Sequence, residues 1–328
     1  MKKLLLLLVI MGSVGICPLA AGGQAEEASV GLEPMTLQVG VLKGPSGFGV
    51  IGMMEDTSPL GQGVSAEYQV VPSPVEMIAR LTTGELQAGL LPLNTAAKLY
   101  TQAGGYPLAA VPGLGSLYIL SRDPEIQSWK DLEGRTVYAI GKGATPDYLL
   151  RYYLKAHGVD TAAVAVDFSI PAAQLAQMAA AGKADTLLLT QPFVALVQNQ
   201  SADMKVRLDF QETWKTLQGT EKAYPITAFV VDPVWAAERP EAYKVLLERY
   251  RSSLSWVLAH PDEAAGLIEK HGILAAGPAR LAIPDCGLAF ITAPEARAEV
   301  TAYLKVLLES DPVSVGGSLP DEGFFLVP

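Results

Sequence analysis

The chain has 328 residues, 50% hydrophobic and 18% charged, with a mean hydropathy of +0.27. That composition excludes a disordered chain, which would be polar and highly charged, and the length suits two domains at ~150 residues each. Its 24 cations stand against 34 acids, a formal charge of −10, with no basic block. Phosphate backbones need clustered cations, so no nucleic-acid partner is expected. Two cysteines and three scattered histidines give no metal-ligand spacing, and no cofactor is expected.

At the start, Lys2 and Lys3 precede an apolar run from Leu4 to Ile16. A membrane span needs ~20 apolar residues, so this run is too short to be one. A positive start, a short apolar core and the small residues Ala20, Ala21, Gly22, Gly23 and Ala25 read as a signal peptide over residues 1–25. Cys17 closes the run, where a lipoprotein carries its acylated cysteine, although Ile16 stands where a small residue is usual. Lipid attachment at Cys17 and plain cleavage within Ala20–Ala25 both remain open. Removing the leader takes away two lysines and no acid, so the formal charge moves from −10 to −12. Cys286 is then left without an intramolecular partner, and its apolar surroundings read as core.

Residues 26–34 form a short lead-in. Beyond them short apolar runs alternate with helical patterns, which predicts an α/β fold with mostly parallel sheets flanked by helices. The predicted strands are Thr36–Leu42, Tyr68–Val71, Gln87–Leu91, Leu108–Val111, Leu117–Leu120, Thr136–Ile140, Ala165–Phe168, Thr186–Leu189, Val206–Asp209 and Ile226–Val231. The clearest helix runs from Pro240 to His260-Pro261. Its residues Tyr243, Leu246, Leu247, Tyr250, Leu254, Val257 and Leu258 share one face at a 3.6-residue repeat.

Pro74–Asn94 reads as helix, Gly84, strand and a Pro/Asn turn into a helix, and Pro171–Pro192 repeats that plan around Gly182. Two readings of the echo stand: a unit common to α/β chains, or two related lobes facing one cleft. With polar Arg122–Glu133 as one crossing and Ala223–Val231 as the return, lobe one is 35–121 plus 226–328 and lobe two is 122–225. A double connection of this kind permits hinge closure on a ligand.

In open α/β sheets, ligands sit beyond the carboxyl ends of strands, against helix starts. The first such turn is Gly44-Pro45-Ser46-Gly47-Phe48, with Ser46 as N-cap. Ser73-Pro74-Val75-Glu76 has the capping-box pattern, which by itself only satisfies a helix start. Asn94 and Thr95 follow the third strand. Gly141-Lys142-Gly143-Ala144-Thr145 follows the sixth, with Thr145 as cap, and Thr190-Gln191-Pro192-Phe193 the eighth. Glycine exposes N–H donors and lets a ligand approach the backbone. The expected ligand-binding residues are therefore Ser46, Gly47, Phe48, Asn94, Thr95, Tyr118, Gly143, Ala144, Thr145, Gln191 and Phe193. Among these, Phe48, Tyr118 and Phe193 would supply apolar walls.

Gly47-Phe48-Gly49-Val50-Ile51-Gly52 spells the dinucleotide fingerprint. Lys43–Ser46 separates it from its strand, however, whereas the fingerprint needs its turn at the strand end. The chain has no G-x-S-x-G, H-E-x-x-H, C-x-x-C or P-loop pattern. No nucleophile with its base is legible, so no catalysis is expected.

The stretches Leu42–Gly49, Leu91–Tyr100 and Gly141–Asp147 are similar to those of a known family, extracytoplasmic substrate-binding proteins of ABC importers. Asp131–Arg135, Gln191–Phe193, His260–Ala264 and Gly316–Pro320 add to the likeness, which covers the whole mature chain. The similarity is to the nitrate/sulfonate/taurine and thiamine-pyrimidine type. It implies a two-lobe, periplasmic-binding-protein-like (type II) fold that captures a small organic solute and delivers it to a membrane permease. Anion-binding relatives are expected to offer a cation in the pocket. Here Lys43 and Lys142 alone lie near the turns, which favours a neutral or weakly charged ligand. A monomer is expected. The alternative is an enzyme on the same fold, in menaquinone or pyrimidine biosynthesis. The leader discriminates, because those pathways are cytoplasmic.

Overall fold

The structure, a computed structural model, describes residues 33–328. The expected leader and Cys17 lie outside the described residues. The strands, in chain order, are β1 Met35–Leu42, β2 Val64–Val71, β3 Ala88–Pro92, β4 Leu108–Leu114, β5 Leu117–Ser121 and β6 Thr136–Ala139. They continue as β7 Ala165–Asp167, β8 Thr186–Thr190, β9 Lys205–Asp209, β10 Pro225–Val231 and β11 Leu288–Thr292.

They form two sheets, ordered β11-β4-β10-β3-β1-β2 and β7-β6-β8-β5-β9. In the first sheet β1 runs parallel to β2 and β3, and β10 is inserted antiparallel between β3 and β4. The second repeats the design: β6 runs parallel to β7 and β8, and β5 lies antiparallel between β8 and β9. In both sheets the inserted strand is the first to follow a crossing from the other. The echoed units occupy equivalent places, with β3 and β8 each lying beside the inserted strand.

Packing explains the apolar runs. Leu187, Leu188 and Leu189 on β8 are fully buried, as expected where helices cover both faces of a sheet. The helix Pro74–Thr82 starts where Ser73 Oγ accepts from Glu76 N at 3.2 Å and buries Met77 and Leu81. Gly40 on β1 makes room for that helix, since a Cβ there would lie 2.7 Å from Met77 Cε and 2.8 Å from Leu86 Cδ1. In the long helix Pro240–Ala259 the predicted face is buried from Tyr243 to Val257. Leu258 instead is 43% exposed, because Val257 takes the inward position and the next residue is turned ~100° toward solvent.

The sheets correct one boundary. Leu117–Ser121, assigned from sequence to the first lobe, pairs with β8 and β9 in the second sheet. The first crossing is therefore the short Gly115-Ser116 link after β4, not the polar stretch after Ser121. The returning chain passes beside it, with Gly115 N donating to Tyr224 O at 2.8 Å. The Tyr224 ring stacks on Tyr303 of the helix Ala293–Ser310, centroids 5.8 Å apart. Its hydroxyl donates to Gln211 Oε1 at 2.8 Å.

Candidate functional site

Strand directions bring the carboxyl ends of β1, β3, β4, β6, β8 and β9 to one edge of their sheets, together with the starts of β10, β11 and β5. At the end of β1, a Cβ on Gly47 would fall onto the Leu42 carbonyl oxygen, so the chain turns inward tightly there. Gly47 and Phe48 are buried, and Phe48 joins the core with no exposed surface. Phe48 therefore does not provide the open apolar wall expected from sequence. Ser46 keeps a half-buried side chain, but it caps no helix. Gly44 holds the N-cap position, and Ser46 Oγ lies 3.5 Å from Thr227 Oγ1 at the start of β10.

After β3 the helix Leu93–Ala103 begins, and Asn94 Nδ2 donates to Ser314 O at 3.3 Å. Asn94 thus ties its helix to the Pro312–Val315 turn, with half-buried Thr95 beside it.

The Gly141–Ala144 turn is closed from within. Gly141 and Gly143 adopt the left-handed region, at φ 72° and 68°, where glycine pays no steric penalty. Gly143 N donates to Asp147 Oδ2 at 3.0 Å, and Asp147 also accepts from Arg151 Nε at 2.6 Å. The N-cap of the helix Thr145–Ala156 is Ala144 rather than Thr145. Thr145, the first helical residue, turns its hydroxyl to Tyr303 OH at 2.8 Å. Tyr148 OH lies 2.7 Å from both Gly143 O and Asp311 Oδ2. Burial, and then the bond to the Asp311 carboxylate, push the Tyr148 phenol up to about 12, so it keeps its proton at neutral pH. Tyr303 and Asp311 follow the first sheet's β11, so these two contacts join parts of the chain built on different sheets.

On the remaining edge, Gln191 is buried, and its Oε1 accepts from Ala195 N at 3.1 Å inside the helix Phe193–Gln200. Phe193 packs half-buried against the second sheet's core. Tyr118 is half-buried on β5, directly opposite Asp209 on β9. Burial pushes its phenol up to about 12, helped by the carboxylates of Asp209 and Asp285, while a Gln211 hydrogen bond works the other way. Asp209 caps the helix Phe210–Gln218 through Gln211 N and Glu212 N, and burial raises its own carboxyl. Beside this, Ser116 Oγ and Thr190 Oγ1 meet at 2.9 Å.

The structure thus brings Ser46 to Thr227, Thr145 to Tyr303 and Tyr148 to Asp311. It turns Phe48 inward and commits Asn94 and Gln191 to local bonds. Sequence reading missed Thr227, Ser116, Tyr303 and Asp311. Thr227 is 181 residues from Ser46 and Tyr303 is 158 from Thr145, beyond the range of any local pattern. Two histidines lie at helix ends, His157 Nδ1 beside Tyr153 O at 2.8 Å and His260 Nδ1 beside Trp256 O at 3.1 Å.

Residues 61–264 match the family model described as NMT1/THI5 like. No curated protein sequence matches the chain. Among solved structures, an ABC transporter protein from Parabacteroides distasonis is 27% identical with a TM-score of 0.77, covering 89% of this chain and 99% of its own. The aliphatic sulphonate binding protein SsuA from Escherichia coli is 16% identical with a TM-score of 0.67, covering 88% and 93%. The periplasmic nitrate-binding protein NrtA from Synechocystis is 13% identical with a TM-score of 0.56, covering 89% and 84%. The two sheets and their helices match the two-lobe fold of periplasmic binding proteins, and the chain belongs to the NMT1/THI5-like family.

Proposed function

We propose that this protein is an exported solute-binding receptor. It captures a small organic molecule between two lobes and hands it, chemically unchanged, to the membrane permease of an ABC importer. The observation that carries this reading is the pair of contacts between the lobes, Thr145 to Tyr303 and Tyr148 to Asp311, at the edge where both sheets present their strand ends. The family match and the transport-associated neighbours support it.

The Gly115-Ser116 link and the Thr220–Tyr224 return are the hinge. A solute touching both lobes binds the closed form better than the open one, so binding shifts the population toward closure. Ser46, Thr227, Tyr118, Thr190 and the Gly143–Thr145 turn line the cleft, and the permease reads the closed form. The receptor acts as a monomer. No helix among the described residues is long and apolar enough to cross a membrane. Acylation at Cys17 would tether the receptor to the membrane beside its permease. Intact mass of the exported protein separates acylation at Cys17 from cleavage within Ala20–Ala25.

The test is mass spectrometry of the small molecule that leaves the natively purified protein on unfolding, followed by a melting-temperature titration with it. A receptor holds one unmodified solute, which raises the melting temperature because it binds only the folded state. A solute converted on incubation would replace the receptor with the alternative, an enzyme on this fold.

A further inference from the structure

The Thr220–Tyr224 return is fixed at its two ends and bare in its middle. The helix Phe210–Gln218 closes at Gly219, left-handed at φ 61°, and Thr220 N still donates back to Lys215 O at 3.1 Å. At the other end Tyr224 O accepts from Gly115 N at 2.8 Å, and Pro225 opens β10 opposite Leu114. Between these ends, among the described residues, Glu221, Lys222 and Ala223 make no backbone hydrogen bond to either sheet.

The same stretch spans a hollow instead of packing onto the protein. About 340 Å³ lies between it, the first sheet and the helix Ala293–Ser310, floored by Val111, Leu114, Pro225, Ile291 and Ala296. At this hollow Lys222 Nζ reaches Glu299 Oε1 at 2.8 Å. Glu299 is 17% exposed and Lys222 57%, so the pair is sheltered at one end and open to solvent at the other. The neighbouring charges leave it intact, since Lys215 bonds Glu212 at 2.7 Å and Glu221 is exposed. Glu299 stands one turn before Tyr303, whose ring stacks on Tyr224 and whose hydroxyl meets Thr145 of the other lobe. One helix therefore carries both the ion pair and a contact between the lobes.

We propose that the Lys222–Glu299 ion pair is a hinge clamp: it fastens the middle of the returning crossing to the first lobe, confines bending to Gly219–Glu221, and so favours the arrangement in which the lobes touch. This rests on the receptor reading above. With the pair broken, bending spreads to Ala223 and the lobes sample wider separations. An ion pair open to solvent weakens as salt rises, so the clamp makes lobe separation depend on the ionic strength around the receptor.

The test is pulsed electron resonance on solute-free protein with spin labels at Val75→Cys and Ser169→Cys, both exposed positions. Lys222→Ala and Glu299→Gln broaden the distance distribution toward longer separations. Salt at about 1 M, where the screening length is ~3 Å, does the same to the wild type and adds nothing to the variants. Calorimetric affinity for the co-purified solute falls about two- to fivefold in each variant. Lys222→Glu broadens the distribution further, because it faces Glu299, and adding Glu299→Lys narrows it again. A merely structural role would lower the melting temperature of the variants and leave their distance distributions as in the wild type. That result overturns the clamp, as does a charge swap no narrower than Lys222→Glu alone. Both outcomes leave the receptor reading standing. It fails separately, if the solute recovered from the purified protein is converted on incubation.

Discussion

Gly115→Ala tests the hinge most sharply. A Cβ there would lie 2.5 Å from Tyr224 Cε2, 2.6 Å from its hydroxyl oxygen and closer still to Cζ. The ring cannot swing aside freely. It is fully buried, stacked on Tyr303 and edge-on to Trp214 at 5.7 Å, with its hydroxyl on Gln211. Overpacking of this kind costs ~1–3 kcal/mol, and losing the Gly115–Tyr224 backbone bond adds ~1 kcal/mol. The sum, about 2–4 kcal/mol, corresponds to a melting point lowered by roughly 3–6 °C in a chain of this size. Gly266→Ala is the control: it is exposed in the helix Pro261–Lys270, has nothing within 4 Å of its added Cβ, and gains about 0.5–1 kcal/mol. Adding Tyr224→Leu to Gly115→Ala relieves the clash, so the two changes couple in a double-mutant cycle. The assay is thermal unfolding followed by near-ultraviolet dichroism. A Gly115→Ala protein that melts with the wild type would refute this account of the crossing.

Three further outcomes follow from the same geometry. Thr145→Val removes the hydroxyl from Tyr303 and Tyr148→Phe removes the one at Asp311. At ~0.5–1.5 kcal/mol per hydrogen bond, each weakens calorimetric solute affinity about 2–10-fold, and unchanged affinity in both would take these contacts out of the closed state. Glu295 is held below its ordinary range by the Thr292 hydroxyl and then its backbone N–H, at the start of the helix Ala293–Ser310. Its folded pKa is depressed, so the stability it adds is present above pH ~4.5 and is lost as pH falls through the lower folded value. Stability measured against Glu295→Gln should thus show a gap that closes on acidification, and a pH-independent gap would remove the ion from the cap. The Cys286 thiol is buried and pushed up to about 12 by that burial. It should react with an aromatic disulfide reagent at pH 8 only after denaturation, and rapid native labelling would contradict its placement.

Much of this fold is legible in the sequence because buried strands and amphipathic helices carry strong local patterns. Leu187–Leu189 is an unbroken apolar run since both sheet faces are covered, and Pro74 with Ser73 fixes a helix start within one turn. β11 escaped because Leu288–Thr292 is a short apolar run, half-buried throughout, with neither alternation nor length to separate it from a helix start. The sheet that β5 joins is decided by pairing with Leu189 and Asp209, far along the chain.

The candidate site divides in the same way. The Gly-rich turns are visible locally, but the direction in which each side chain faces is not. Phe48 turns inward because Gly47 packs onto the Leu42 carbonyl, and Thr145 faces Tyr303 because Ala144 takes the cap. Asp147 lies within the quoted turn motif. Its bond to the Gly143 amide emerges only once the left-handed Gly143 presents that amide to the first turn of the following helix.

The central claim, that two lobes close on a solute, is tested by a distance across the cleft. Val75, 78% exposed at the start of the helix Pro74–Thr82, and exposed Ser169, just beyond β7, lie near outer edges of the two sheets. With Val75→Cys and Ser169→Cys carrying spin labels, and Cys286 unreactive in the fold, pulsed electron resonance reads their separation. The account predicts a broad distribution that becomes shorter and narrower when the co-purified solute is added to solute-free protein. The same distribution with and without bound solute would contradict it.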